Sequence, residues 1–302
     1  MAKADIAALL ALGAAFFIAV GDVIHLRTAH DVTDEPVGHL ELFTRLLRDR
    51  QWWLGSLIAG LGFGLQAAAL GFGSVLLVQA LLVTSLLFAL PINARGTGRP
   101  VSGAQWTWAA LLAASVAVIV IVGNPTPGHS RAAFEVWTGV IVVLGPALVL
   151  CVVGARMLAG RPASAVLLGM VSGALWGLFA VLTKGVVDRL GQFHEKGIWA
   201  VLSTPELYVW AAVAIAATAW QQSSFRAGSL SASLPTMTVT EPLVASVLGI
   251  LVLGETLRPG DRGLVLLIGA IAVMVVATVA LARSEAAAGS SPVAAELPPA
   301  AR

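Results

Sequence analysis

The segment GSLSASLPTMTVTEPLVASVLGILVLGE, residues 228–255, is long enough to cross a bilayer, which takes about 20 apolar residues. It nevertheless contains Glu241 near its middle, with Pro235 before it and Pro242 directly after it. A carboxylate at the bilayer centre costs roughly 2.5–3.5 kcal/mol on insertion scales, so such a residue persists where it faces protein or a wet cavity. Pro235 has no backbone N–H, which predicts a bend or break just before the acid. We expect the other helices to surround this one.

The composition supports an integral membrane protein. Of 302 residues, 58% are hydrophobic and only 11% are charged, whereas a soluble domain is about a quarter charged. A net charge of +2 gives no indication of nucleic-acid binding, and the single cysteine, Cys151, excludes an internal disulfide and a cysteine-based metal cluster. No phosphate-binding loop, nucleophile elbow or HExxH sequence is present, so neither an enzyme nor a cofactor is predicted.

Hydropathy predicts nine membrane spans, the first of them at the N-terminus rather than a signal peptide. They lie near residues 4–25, 52–71, 74–93, 104–122, 134–157, 163–184, 205–225, 229–253 and 263–282. Leu40, Phe43 and Leu47 recur at helical spacing within residues 26–51, which predicts a short amphipathic helix on the membrane surface. A second sizeable loop covers 185–204, and residues 284–302 are predicted to be disordered. The side of the membrane that holds the C-terminus has 11 Lys and Arg residues, and the side that holds the N-terminus has 7. Because Lys and Arg are more frequent in cytoplasmic loops, we expect the N-terminus outside and the C-terminus inside.

The first and second halves of the chain resemble each other. A shift of 155 positions aligns Gln66 with Gln221, Gly73 with Gly228 and Ser74 with Ser229, and a shift of 156 aligns Gly13 with Gly169 and Gly21 with Gly177. Spans one to four therefore match spans six to nine. The shift covers five spans, an odd number, so the second copy must be inverted in the membrane.

This register predicts an all-α membrane protein with two inverted four-helix repeats joined by a connecting helix, a layout typical of transporters. The first repeat covers 1–125, the connecting helix 126–160, the second repeat 161–283 and the tail 284–302. Span three is the counterpart of the Glu241 span, and there Ser85 and Leu86 take the places of Thr240 and Glu241. The acid is therefore one-sided, as at a substrate or ion site.

The second half resembles the drug/metabolite transporter superfamily, in its EamA-like part. The motifs that carry this resemblance are Pro235 within a helix, the pair Glu241-Pro242, and Leu253-Gly254-Glu255 before the next helix. The first half, LQAAALGFGSVLLVQALLVTSLLFALP at 65–91, is similar to the branch of NIPA-type magnesium transporters, also described with nine spans. It lacks the Leu-Gly-Glu element, because residues 97–99 read Thr-Gly-Arg. The resemblance implies a multi-pass transporter of the cell membrane, with magnesium as one candidate substrate.

Glu241 is the strongest site candidate, with Thr238 three residues earlier on the same helical face. It could carry a proton or hold a cation, or it could be a protonated acid bonded to Thr238 or to a carbonyl freed by a proline. Polar residues inside other spans could line a path or bond helix to helix. These residues are Gln66, Gln79, Ser85, Gln221 and Gln222. Trp176 lies mid-span and could form a cavity wall or pack in the core.

Three further patterns have candidate roles. Asp22 and His25 share a face at the end of span one and could hold a metal, although both also fit a membrane exit. Glu255 is expected at a helix end, where it could cap the next helix or pair with Arg258. Gly169, Gly173 and Gly177 recur every four residues, which predicts a close helix-packing seam.

Three functions remain open from the sequence. The first is transport of a small solute by alternating access around Glu241, and the second is a magnesium or other divalent-cation permease. The third is a membrane scaffold or accessory subunit that keeps a transporter fold. A second carboxylate beside Glu241 would favour a cation site, and Asp22 is the one plausible candidate within a span. The expected partners are the lipid bilayer and a small molecule or cation; the sequence leaves the oligomeric state undetermined.

Overall fold

A computed structural model of the chain describes residues 3–32, 50–97, 100–192, 199, 202–227, 230–260 and 263–289. The main helices of this part are α1 (Lys3–Val32), α2 (Arg50–Phe72), α3 (Val75–Leu82), α4 (Ser85–Thr97), α5 (Gly103–Gly123), α6 (Phe134–Met157), α7 (Pro162–Gly191), α8 (Pro205–Ala227), α9 (Leu230–Leu253) and α10 (Gly263–Gly289). Eight spans formed by these helices are long and apolar enough to cross a membrane, and α3 and α4 together supply one of them, Val75–Arg95. The remaining helix, α8, is 23 residues long and corresponds to the seventh predicted span. The protein is therefore helical and membrane-embedded, as predicted.

Several helices extend beyond the predicted spans. α1 continues to Val32 and α7 to Gly191, so part of each predicted loop is helical. α10 continues to Gly289, so the tail predicted to be disordered begins as helix. The predicted surface helix at 26–51 lies mostly outside the described residues, as does most of the loop at 185–204 and the tail beyond residue 289.

The helix that carries Pro235 has no break, and the predicted bend there stays a prediction; the interrupted helix lies in the first repeat. α9 runs unbroken through Pro235 and Pro242, whereas span three is interrupted between α3 and α4. There Thr84 N–H bonds to Leu81 O at 3.0 Å, and the Thr84 hydroxyl donates to the same carbonyl at 2.5 Å. These bonds to residue i−3 replace the α-helical ladder locally. α9 tolerates its prolines because close packing on α7 holds it in place, as neighbouring helices commonly do in membrane proteins.

Span three, rather than the Glu241 span, lies at the centre of the bundle. All eight residues of α3 are buried. Of the apolar stretch in Val75–Arg95, 72% is buried inside the protein, against 33% in Ser233–Leu253. α3 contacts α1, α5 and α9, and the largest apolar core includes residues from all four of these helices. The expectation that the other helices surround the Glu241 helix is therefore wrong, and its counterpart in the first half has that position.

The packing of the two halves is similar but not identical. α1 packs extensively on α2, and α7 packs extensively on α8; α5 and α10, the last helices of the two halves, pack on each other. A Cβ at Gly21 of α1 would meet Ala59 of α2, whereas a Cβ at Gly177 of α7 would meet Glu241 and Ala245 of α9. The aligned glycines therefore face different neighbours. The inverted superposition of the repeats stays a prediction.

Candidate functional site

The Glu241 backbone lies directly against α7. A Cβ built at Gly173 would be 3.2 Å from Glu241 N, and one at Gly177 would be 2.7 Å from Glu241 O. Gly169 is similarly close to Ser233 O, at 3.1 Å. The predicted glycine seam is confirmed, and it places α9 so that the Glu241 side chain is half-buried rather than enclosed. Glu241 is eleven residues into α9, about 16 Å along the helix axis and near the middle of a hydrocarbon core of about 30 Å.

Asp22 lies on α1 of the first half, and its charge acts on Glu241 of the second half. The Asp22 side chain is exposed. The neighbouring Gly21 packs on Ala59, which is nine residues into α2, about 14 Å along its axis. Asp22 is only two residues before Ile24, where the apolar span ends. Its position beside the middle of α2 nevertheless places it deeper in the bilayer than the end of that span. His25 is on the same helix, but its side chain lies outside the described part of the structure.

Thr238 does not reach towards Glu241 in this structure. Its hydroxyl donates to Leu234 O at 2.9 Å, one turn earlier on α9. Thr238, Pro242 and Thr278 of α10 line a cleft of about 10 Å³, together with Val83 from the break in span three. This volume is near the lower limit for one water molecule. The structure thus brings the break in span three next to the helical turn that carries Glu241.

Trp176 belongs to an aromatic cluster between α2, α7 and α8. Its ring stacks on Phe63 at 5.5 Å between centroids, and Phe179 stacks in turn on Trp210 at 5.1 Å. Trp176 Nε1 donates to Gln221 Oε1 at 3.2 Å. Trp176 also packs against a small apolar core. Gln221 therefore bonds helix to helix, and Trp176 is anchored on both its apolar and its polar side.

The remaining predicted polar residues lie on four different helices. Gln66 of α2 is buried and Gln222 of α8 is exposed. Ser85 is half-buried and begins α4 directly after the break. Gln79 of α3 is 1% exposed, and within the described part of the chain its Nε2 has no hydrogen-bond partner.

A buried charged junction lies at the start of α3, and we call it the Glu255 junction. It comprises Glu255, Lys184 and the N–H groups of Val75 and Leu76. Lys184 Nζ donates to Glu255 Oε1 at 2.6 Å, Val75 N–H donates to Oε1 at 2.8 Å, and Leu76 N–H donates to Oε2 at 3.0 Å. The side chains of Lys184 and Glu255 are 7% and 0% exposed. A carboxylate at a helix N-terminus satisfies otherwise unpaired N–H groups and interacts favourably with the helix dipole.

Glu255 lies at a helix end, as predicted, but its partners differ from the predicted ones. It caps α3 of the first half rather than the next helix, and it pairs with Lys184 rather than Arg258. Gly254 ends α9 in the left-handed conformation, with φ of +65°, which turns Glu255 inward. Lys184 was missed because it lies at the end of a predicted span, where a cation is ordinary. The apolar sequence directly after Lys184 is the signal that could have identified it as a buried cation, because the helix continues past this residue.

Further contacts close the same membrane face as the Glu255 junction. Thr126 and Thr256 form an isolated antiparallel bridge, with N–H···O distances of 2.9 and 3.3 Å. A Cβ at Gly128 would overlap Leu253 O. Arg131 forms an ion pair with Glu206, and burial and neighbouring Arg189 lower the pKa of Arg131, while Asp188 opposes this.

All of these residues either follow an even number of predicted spans along the chain or, like Lys184, lie at the end of an even-numbered span. We call this side of the protein the even face. If every span crosses the bilayer, contacts between such segments are possible, since all of them then lie on one side. The observed contacts are therefore consistent with the predicted number of crossings.

Asp22 and Glu241 could attract a hydrated cation, but by themselves they do not form a complete coordination shell for a metal ion. Among the residues that the structure describes, no three His, Cys, Asp or Glu side chains group closely enough to hold a metal ion. Asp22 and Glu241 alone would leave most of the six or more oxygen positions of Mg²⁺ or Ca²⁺ to water, backbone or another ligand.

Comparison with known proteins gives one informative match. The chain is 38% identical over 283 residues to "Uncharacterized protein Cgl0250/cg0304" of Corynebacterium glutamicum, and the match covers 92% of this chain and 95% of that protein. No protein-family model matches the chain, and no solved structure does either.

Proposed function

We propose that this chain, which belongs to the same family as the uncharacterised C. glutamicum protein, is a secondary transporter of the drug/metabolite transporter type in the cell membrane. The observation that carries the proposal is the half-buried Glu241 at mid-span. The charge of Asp22, from the other half, acts on it. Ionisable residues at this depth are costly, and they are retained at substrate, ion or proton sites. In this proposal the protein is not an enzyme and needs no cofactor.

Alternating access would use the two halves as moving bodies. The internal register of 155 residues supports an inverted pair, and α5 and α10 pack on each other as the matching last helices of the two halves. Glu241 and Asp22 come from different halves, so a solute bound between them would contact both bodies. Rocking of one half against the other would then expose the solute to one face at a time.

A divalent-cation permease is the second candidate. It is favoured by the electrostatic interaction of Asp22 with Glu241, because two carboxylates supply the charge that a dication needs. With two protein carboxylates, the cation would keep most of its water, which suits Mg²⁺ since it dehydrates reluctantly. The small-solute and cation transporters share the same residues and differ in the ligand.

Flux through reconstituted vesicles tests the proposal. Mg²⁺ is the first probe, followed by solutes selected by thermal-shift screening of the purified protein. Glu241→Gln keeps the size and hydrogen bonding of the side chain but removes its charge, so flux should fall at least about tenfold, the equivalent of 1.4 kcal/mol in a barrier. Asp22→Asn should give a comparable loss for Mg²⁺ and a smaller one for an uncharged solute.

Pro235→Ala serves as the matched change on the same helix, because it alters the backbone about 1.7 turns away and leaves both carboxylates in place. It should slow transport with less effect on binding. Equal flux and equal pH dependence in wild type and Glu241→Gln would remove Glu241 from the mechanism. That result would favour a scaffold or accessory subunit with a structural, protonated acid.

A further inference from the structure

We propose that the Glu255 junction is a gate, which holds the even face shut and must separate for that face to open. This inference rests on the proposed transport function. In the closed state Glu255 of the second half occupies the N-terminus of α3 in the first half, and Lys184 secures it. In the open state Glu255 leaves Val75 and Leu76, and the two N–H groups become accessible to water.

The capping of α3 is the first argument. Ser74 already serves as a local cap, since its hydroxyl accepts from Leu77 N–H at 3.1 Å. Val75 and Leu76 instead depend on Glu255, which is 180 and 179 positions away in the sequence. This capping by a charged side chain connects two halves that are far apart in sequence. Such a contact can be made and broken without unfolding either helix.

The ionic character of the junction is the second argument. Replacing a buried ion pair with well-packed apolar residues is often neutral or stabilising, so a permanent contact between the halves does not need charges. The hydrogen bonds of the junction fix one geometry and are lost once the partners separate, because a hydrogen bond depends steeply on its geometry. Two discrete arrangements are what alternating access requires.

The shape of span three is the third argument. α3 lies between Gly73 and Ser74 at one end and the 3₁₀-type break at Val83 and Thr84 at the other. α3 is therefore a short helical segment that is bounded at each end by an interruption of the helix. In the gate, these two interruptions act as its joints. Its far joint lines the same cleft as Thr238 and Pro242, one turn or less from Glu241. A movement of α3 at the gate would thus be transmitted to the helical turn of the candidate site.

Backbone hydrogen bonds also hold the segment that carries Glu255, residues 253–258, which we call the strip. Residues 253–258 carry Glu255, and they also carry Thr256, which bridges Thr126, and Leu253, whose carbonyl accepts from His129 N–H at 2.7 Å. Arg258 N–H bonds to Gly123 O at 2.8 Å. A displacement of this strip releases the junction and the bridge together, so a covalent link at the bridge should hold the gate closed.

The test uses hydrogen exchange of the full-length protein in lipid nanodiscs, read by mass spectrometry on peptides that contain Val75 and Leu76. A disulfide is introduced by Thr126→Cys and Thr256→Cys in a Cys151→Ala background. Hydrogen-bonded antiparallel pairs have Cα atoms about 5.5 Å apart, which is within the range for a disulfide. Lys184→Gln loosens the gate from inside, and Arg258→Gln is the control, since it removes a charge from the same strip but not from the junction.

In the reduced double-cysteine protein the Val75 and Leu76 amides should exchange as in wild type, and oxidation should slow them about tenfold or more, in the range of ordinary conformational coupling. Lys184→Gln should speed them by a similar factor, with α5 amides around Leu112 unchanged. Arg258→Gln should behave as wild type. Identical exchange in the oxidised and reduced proteins would overturn the gate and leave a static cap. If exchange is identical in the two proteins but Glu241→Gln loses flux, the transport proposal stands and only the gate is refuted. If oxidation slows exchange but the wild-type protein carries no flux, the transport proposal is refuted.

Discussion

Gly177 of α7 and Glu241 of α9 touch backbone to backbone, because a Cβ at Gly177 would be 2.7 Å from Glu241 O and 2.9 Å from Ala245 N. Neither of these atoms belongs to a flexible side chain, so a methyl group at this position must push the helices apart. Gly177→Ala should destabilise the protein by about 1–3 kcal/mol, as overpacking commonly does. Thermal or SDS-induced unfolding of the purified protein measures the change.

Gly269→Ala in α10 is the matched control, because no atom lies within 4 Å of a Cβ there. Alanine is the better helix former by about 0.8–1.0 kcal/mol in water, so this variant should be neutral or slightly more stable. If Gly177→Ala is as stable as Gly269→Ala, the seam is not tightly packed.

Removal of Glu255 should cost more than removal of Lys184. Glu255→Ala leaves a buried ammonium and two uncapped N–H groups, whereas Lys184→Met leaves a carboxylate that still accepts from Val75 and Leu76. Breaking a buried pair typically costs about 3–5 kcal/mol, and we expect Glu255→Ala at or above the top of that range. Unfolding of the two single variants and the double variant gives the comparison. An equal loss in both single variants would show that the α3 cap adds nothing.

The bond between Trp176 and Gln221 is separable from the packing of the indole ring. Trp176→Phe keeps an aromatic ring in the stack with Phe63 but removes the Nε1 donor. A double-mutant cycle with Gln221→Leu should give a coupling energy of about 0.6 kcal/mol and no more than about 1.7, as for hydrogen bonds between membrane helices. Gln222→Leu is the control, because Gln222 is exposed. Coupling as large for Gln222 as for Gln221 would contradict the assignment.

The even face should be extracellular if the Lys and Arg excess sets the orientation. A cysteine at Thr126 or at Thr256, in a Cys151→Ala background, should then react with a membrane-impermeant maleimide added to intact cells. A cytoplasmic reporter fused after Arg283 should be active in the same cells, since the C-terminus lies opposite. Labelling at one threonine position but not the other would contradict the single shared face, and labelling at neither would reverse the orientation.

Much of the architecture was predictable from sequence because apolar length and glycine spacing are local properties. Hydropathy located the spans, and the four-residue spacing of Gly169, Gly173 and Gly177 predicted the seam that the structure confirms. The position of the helix break was not predictable from proline alone. Close packing on α7 keeps α9 continuous through Pro235 and Pro242, and Thr84 tightens span three without a proline at the break.

The candidate site was only partly predictable for the same reason. The cost of a mid-membrane carboxylate identifies Glu241 from its position alone. The partners of Glu255 could not be predicted this way, since Lys184 and Val75 come from two other helices and meet it only through the tertiary fold. The electrostatic interaction between Asp22 and Glu241 also arises between helices.

The connecting helix α6 has a consequence for how this chain tolerates sequence change. Only Ala155 among its 24 residues is buried, and α6 packs mainly on α7. The acyl chains of lipids, rather than fixed neighbours, are the surroundings of most of its side chains in the isolated protein, and a liquid adapts to any apolar shape. In a saturation scan, Val142, Val149 and Leu150 should therefore accept Ile, Phe or Met without loss and reject charge, whereas α3 should reject changes of volume at every position. We therefore expect selection on α6 to act on its hydrophobicity and length, and its sequence to diverge faster among relatives than that of the helices it connects.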